Sequence, residues 1–148
     1  MPEKKTLENA QKDKREGKSP STQAGEFVKE EMEHIREGKH GARSTKQAIA
    51  IGLSKARRAG VKLPPPKPGT STAETRSHAK RDVSAGRKSM RPSSTRSRAI
   101  TQALKREGSS AASPASLSRQ AKSAARRRTP SQRSAAARKA ARTRASER

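Results

Sequence analysis

Large apolar side chains are scarce in this 148-residue chain, and that scarcity is the strongest constraint on its fold. Leucine, isoleucine, valine and phenylalanine make up only 13 residues, and alanine supplies 24 more. The formal net charge is +24. Such a chain cannot bury enough apolar surface to order its whole backbone. We therefore exclude one globular core over the full length and predict a mostly α-helical protein with extensive disorder.

Positive charge is concentrated after residue 43. Residues 1–43 carry ten basic and nine acidic side chains, whereas residues 44–148 carry 27 basic and four acidic ones. This asymmetry is typical of a chain that binds a polyanion. Arginine provides 21 of the 37 basic side chains, and its planar guanidinium group suits phosphate. The composition therefore predicts a nucleic-acid partner, with a basic tail kept only for solubility as the alternative.

An antiparallel pair of amphipathic helices is predicted over residues 21–63. The first helix has an apolar stripe and ends at Gly38, a residue suited to the left-handed C-cap position. The second begins with a capping box formed by Ser44 and Gln47. It ends at Gly60, again a left-handed C-cap. The short connection between the two helices favours a hairpin.

The two helices carry opposite charges, which favours their pairing. The predicted helical segments have net charges of −3 and +4. Gly52 lies in the apolar stripe of the second helix, where glycine costs roughly 1 kcal/mol relative to alanine. We interpret it as the position where the helices approach closely. A hairpin of this length is marginal alone and needs a second copy or another partner to dock on.

The hairpin sequence also resembles a known family. The similarity lies in Lys39–Gly41, in the run STKQAIAIGLSKAR from Ser44 to Arg57, and in Gly60. Over about residues 25–65 the chain resembles a family of short, basic bacterial proteins of unknown function. The resemblance implies a bacterial origin and a compact helical element, and it assigns no activity and no site residues.

The other segments are predicted to have no fold of their own. Residues 1–20 are expected to be flexible or weakly helical, and residues 64–94 to form a linker rich in Pro, Ser and Thr. Residues 95–148 form a basic tail that becomes helical when phosphates neutralise its arginines. Within it, Ser113-Pro114 and Thr129-Pro130 are typical helix starts. By composition the tail resembles bacterial histone-like proteins and linker-histone tails.

These patterns favour a nucleoid-associated protein that binds DNA without reading its sequence, by neutralising phosphates and without a cofactor. The absence of Tyr and Trp excludes the aromatic platforms that stack on RNA bases. The alternatives are an RNA- or ribosome-associated protein, and an adaptor or homo-oligomer that uses the hairpin as its contact surface. The predicted nucleic-acid-binding residues are Lys55, Arg57, Arg58, Arg96, Arg98, Lys105, Arg106, Arg119, Lys122, Arg126, Arg127, Arg128, Arg133, Arg138, Lys139, Arg142 and Arg144.

No pattern in the sequence is typical of an enzyme or a metal site. The chain has no cysteine, and His34, His40 and His78 are too scattered to predict a ligand set. No apolar run approaches the ~18 residues of a membrane span, and no secretory signal follows Met1. Nine acids in the first 43 residues argue against a mitochondrial presequence. We expect a cytoplasmic, non-catalytic protein at the nucleoid, with no membrane partner.

Overall fold

A computed structural model describes residues 1–88, 91 and 93–146. Positions 89, 90 and 92 of the predicted linker and 147–148 of the predicted tail lie outside the described residues. The described chain forms two compact units, residues 1–113 and residues 114–148. Its helices are α1 (Lys4–Arg15), α2 (Pro20–Arg36), α3 (Thr45–Arg58), α4 (Ala73–Arg87), α5 (Ser94–Lys105), a 3₁₀ turn (Ser110–Ala112), α6 (Pro114–Arg126) and α7 (Pro130–Ser146).

The prediction of extensive disorder is wrong. Helices include 72% of the described chain, and they extend through the segments predicted as a linker and as a conditionally helical tail. Alanine is the physical reason, because eight of the eleven buried apolar residues are alanines. The prediction treated large side chains as the main source of buried surface. Because the alanine side chain is small, two helix backbones can lie close enough to bury the surface between them. Alanine also has the highest helix propensity.

The hairpin of α2 and α3 is the most extensive helix–helix interface of the first unit. A Cβ atom placed on Gly52 would lie 2.7 Å from Cα of Val28, so the backbone of α3 packs directly on α2. The predicted close approach at Gly52 is therefore confirmed. The side chains of Arg36 and Thr45, at facing ends of the two helices, donate to the adjacent carbonyls of Ala112 and Ala111, so the helices run antiparallel.

The ends of the hairpin helices follow the predicted capping pattern. Gly38 and Gly60 both have left-handed backbones, with φ of 72° and 92°. The Ser44 hydroxyl accepts from the backbone N–H of Gln47 at 3.2 Å. The Gln47 side chain differs from the expected box, because its oxygen accepts from the N–H of Arg43 at 2.7 Å. The C-caps and the N-cap were thus readable from local sequence.

Helix α1 replaces the flexible segment expected at the N-terminus. It packs on α2, where Ala10 joins Ala24, Phe27 and Ala56 in a buried cluster, and Leu7 packs against that cluster. Leu7 and Ala10 are three residues apart and share one face of α1. Two apolar residues are too few to predict an amphipathic helix. Polar contacts also attach it, since Nδ2 of Asn9 donates to the Glu26 carboxylate of α2 at 3.1 Å.

Helix α4 packs on α3 where a linker was predicted. A Cβ atom on Gly86 would overlap the carbonyl oxygen of Arg57, so α4 lies directly against the end of α3. Nε of Arg58 donates to Oδ1 of Asp82 at 2.7 Å, and the Asp82 residue is buried. The docking therefore combines small residues, Gly86 and the buried Ala79, with one ion pair, and these produce no stripe of large apolar side chains.

The segment after α5 closes over the loop between α2 and α3. The backbone N–H of Gly41 donates to the carbonyl of Leu104 at 2.8 Å, and that of Ala42 donates to the carbonyl of Gly108 at 3.1 Å. Ala111 and Ala112 of the 3₁₀ turn are buried. Residues predicted to belong to a disordered tail thus complete the first unit.

The second unit consists of α6 and α7. They begin at Pro114 and Pro130, which confirms the helix starts predicted at Ser113-Pro114 and Thr129-Pro130. Thr129 caps α7 reciprocally with Gln132, since each side chain accepts from the other's backbone N–H, at 3.2 and 3.0 Å. None of the helices in the described ranges combines the length and the apolar character needed to cross a lipid bilayer.

Candidate nucleic-acid interface

Three of the predicted nucleic-acid-binding cations have structural partners in the first unit. Nζ of Lys55 lies 2.6 Å from Oε2 of Glu31. Arg57 is buried and donates to the carbonyls of Leu63 and Pro64, both at 3.3 Å. Burial lowers the pKa of Arg57, against a smaller opposing effect of Asp82. Arg58 pairs with the same Asp82, as described above. These three side chains fasten helices and loops to one another, so they are less available to phosphate than a free surface cation.

The four predicted cations of α5 and the turn after it are exposed. They lie away from the buried face of the first unit, since α5 has no buried residue. No carboxylate of the described chain forms an ion pair with any of them. Their charge is available to an anionic partner; the residues are Arg96, Arg98, Lys105 and Arg106.

One face of α6 is a cationic stripe. Arg119, Lys122, Ser123, Arg126 and Arg127 line an open concave surface. Their spacing of three, four, seven and eight residues from the first places them side by side along the helix. The stripe, which Arg127 continues just past the end of α6, therefore places four cations and one hydroxyl on one side, where they can contact phosphates.

Helix α7 carries positive charge on every side. Each of its residues is exposed, and its cations do not gather on one face. At 17 residues it is ~25 Å long, a length over which duplex DNA presents about 15 phosphate charges. A helix without an apolar face gains nothing from docking on a protein core. The cations of this helix are Arg133, Arg138, Lys139, Arg142 and Arg144.

The second unit has no internal charge compensation in its described part. Residues 114–146 contain ten basic side chains and neither aspartate nor glutamate. Arg128, just after α6, is exposed like the rest, and its carbonyl accepts from Nη1 of Arg133 at 3.1 Å. The described part of this unit therefore carries a net charge of +10, which attracts a polyanion.

Comparison with known proteins yields one match. Residues 14–67 match the model of DUF6496, a family of unknown function. The resemblance to a family of unknown function is thereby confirmed over a somewhat longer segment than the sequence motifs suggested. No curated protein and no solved structure shows significant similarity to the chain.

The DUF6496 segment, residues 14–67, does not include the cationic helices. It spans α2 and α3 and ends before α4 begins. It therefore contains Lys55, Arg57 and Arg58, the cations with structural partners, and none of those on α5, α6 and α7. The family match therefore covers the hairpin and does not include the cationic residues of α5, α6 and α7.

A second cluster of polar groups lies at the C-terminal end of α2 and was not predicted. One ligating atom each from Glu31, His34 and His40 lies within 4.8 Å of the other two. The Glu3 carboxylate accepts from Nε2 of His34 at 2.8 Å, and hydrogen bonds from His34 and Lys39 lower the pKa of Glu3. The spacing of Glu31 and His34 places them on one face of α2, but His40 lies in the following loop, whose path local sequence does not predict.

Proposed function

We propose that this protein binds double-stranded DNA without sequence preference, acting as a nucleoid-associated protein that neutralises phosphates. The observation that carries the proposal is the second unit, in which two exposed helices and the turn between them present ten cations and no carboxylate over residues 114–146. A surface of this kind gains affinity by releasing the counterions that surround DNA. The protein then belongs in the cytoplasm, at the nucleoid.

The choice of DNA over RNA follows from the side chains that the chain lacks. Sequence-specific RNA recognition stacks unpaired bases on aromatic rings. The chain contains no Tyr or Trp, and its one phenylalanine, Phe27, is 1% exposed. A regular duplex needs no such platform, because a charged helix contacts its phosphates from outside the base stack.

A salt titration with the full chain tests the proposal. Fluorescence anisotropy would measure its affinity for labelled duplex DNA, duplex RNA and single-stranded RNA over a range of KCl concentrations. If about ten phosphates are neutralised, log K for duplex DNA falls with log salt at a slope near −9. Different duplex sequences should bind alike. Tighter binding to either RNA would favour the RNA-associated alternative, and no binding to any of them at low salt would overturn the proposal.

A matched pair of variants separates the cationic stripe from net charge alone. Both variants remove four exposed cations, and glutamine keeps the helix propensity high. The stripe variant should lose roughly 3.6 units of salt slope, and the control should retain the wild-type slope. Equal losses in the two would show that only net charge matters. The stripe variant replaces Arg119, Lys122, Arg126 and Arg127, and the control replaces Lys4, Lys5, Lys12 and Lys14 of α1.

A further inference from the structure

We propose that Glu31, His34 and His40 form a Zn²⁺ site at the C-terminal end of α2. Two imidazole nitrogens and one carboxylate oxygen are a donor set typical of zinc with a fourth position open to water. Glu31 and His34 are three residues apart on α2, and His40 comes from the loop that follows. This site is independent of the DNA-binding surface proposed above.

The carboxylate of Glu31 is buried without the hydrogen bonds that its charge requires. The residue is 1% exposed, and neither of its oxygens has a hydrogen-bond partner among the described residues. Lys55 lies near Oε2 at 2.6 Å, and Nε2 of His40 lies near Oε1 at 3.1 Å, but neither contact is aligned as a hydrogen bond. Lys55 compensates the charge at Oε2, so Oε1, which faces His40, is the oxygen that a metal ion would take.

The orientation of His40 places one of its ring nitrogens toward Glu31. Nδ1 of His40 lies 3.0 Å from the carbonyl oxygen of Gly41, and since a carbonyl only accepts, Nδ1 carries the proton. In the neutral ring the lone pair is then on Nε2, facing Oε1 of Glu31. A metal ion at this point would be bonded by both atoms. A ligating histidine whose other nitrogen donates to a backbone carbonyl is a frequent outer-shell arrangement.

The surroundings of His34 have the same form. Its Nε2 donates to the Glu3 carboxylate, which leaves the lone pair of the neutral ring on Nδ1. The other charges facing the cluster are Glu30, whose Oε1 is 4.0 Å from Nε2 of His34, and Lys39, which contacts Glu3 at 3.1 Å. Lys55 contacts Oε2 of Glu31 and lies 3.6 Å from Oε1 of Glu30, whereas Oε1 of Glu31 faces His40.

Zinc binding requires a modest contraction of the cluster. Tetrahedral zinc with bonds of about 2.0–2.1 Å places its ligand atoms about 3.3 Å apart. The three donor atoms lie within 4.8 Å of one another, so they move together by up to about 1.5 Å on binding. Imidazole donors favour zinc over Mg²⁺ and Ca²⁺, which prefer oxygen.

Isothermal titration of the untagged, chelator-treated full chain with ZnCl₂ tests the site. We expect one Zn²⁺ per chain and a melting temperature that rises with Zn²⁺ concentration, because the ion binds the folded state. MgCl₂ and CaCl₂ should leave the melting temperature unchanged. A wild-type chain that takes up no Zn²⁺, or one that responds equally to all three ions, would overturn the proposal.

Three histidine variants locate the binding. His34→Gln and His40→Gln should each weaken Zn²⁺ binding by more than about 100-fold, the upper end of the loss seen when an outer-shell partner is removed. His78→Gln is the matched control, because His78 lies on α4 with its side chain 58% exposed. It should bind as the wild type does. Circular dichroism establishes that each variant is folded, and Zn²⁺ binding that survives in folded His34→Gln and His40→Gln would contradict the assignment.

Discussion

Individual glycines show how closely the helices of the first unit approach one another. Gly52 of α3 lies against the backbone of Val28, whereas Gly25 of α2 faces open space. Both lie inside helices and have ordinary helical backbones, so each loses stability relative to alanine through propensity alone. Only Gly52 offsets that loss by allowing contact between two backbones. Comparing substitutions at the two positions therefore distinguishes the effect of helix propensity on stability from the effect of helix packing.

We expect Gly52→Ala to lower the free energy of unfolding by about 1–3 kcal/mol, because its new methyl group forces α2 and α3 apart. Gly25→Ala should raise it by up to about 1 kcal/mol, since alanine is the better helix former and nothing obstructs it. Urea unfolding followed by circular dichroism measures both. If Gly52→Ala were as stable as Gly25→Ala, the direct backbone contact would be wrong.

Among the elements, α2 and α3 could be predicted and α4 could not, for a physical reason. Local residues mark the ends of the hairpin helices: Gly38 and Gly60 have left-handed backbones at the C-termini, and Ser44 is the N-cap of α3. The attachment of α4 depends on contacts between distant residues, the pairing of Asp82 with Arg58 and the fit of Gly86. A single sequence shows the local residues that end a helix, but it does not show which distant residues will be in contact. For the same reason, the sequence did not predict that His40 lies beside Glu31 and His34.

Gly86→Ala tests whether α4 docks as the structure shows. Its added methyl group would overlap the carbonyl oxygen of Arg57, so α4 has to move off α3. We expect amide hydrogen exchange in α4 to accelerate at least about tenfold while α2 and α3 stay protected. Hydrogen-exchange mass spectrometry resolves the two regions, and Gly25→Ala provides the reference. Unchanged exchange in α4 would be inconsistent with this interface.

At the scale of the whole molecule, charge and burial are divided between the two units. The first unit contains the apolar cluster and 12 of the 13 acidic residues. In the second unit, α6 and α7 have no buried residue. The charge imbalance was visible in the sequence, and it is the basis on which we propose a polyanionic partner. The basic tail was expected to become helical only when phosphates neutralise it, but α6 and α7 are helical in the chain alone. Alanine contributes helix propensity there and not buried surface.

Ending the chain at Ser113 separates folding from DNA binding. The buried alanines of the 3₁₀ turn remain, so the shortened protein should melt within a few degrees of the full chain. It loses the ten cations of residues 114–146, and the salt slope for duplex DNA should fall in magnitude by up to about 9. Thermal melting and anisotropy titrations measure the two quantities on the same sample. Retention of the full slope would place the DNA contacts on α5 and its neighbours in the first unit. A collapse of the melting temperature would instead mean that the second unit stabilises the first.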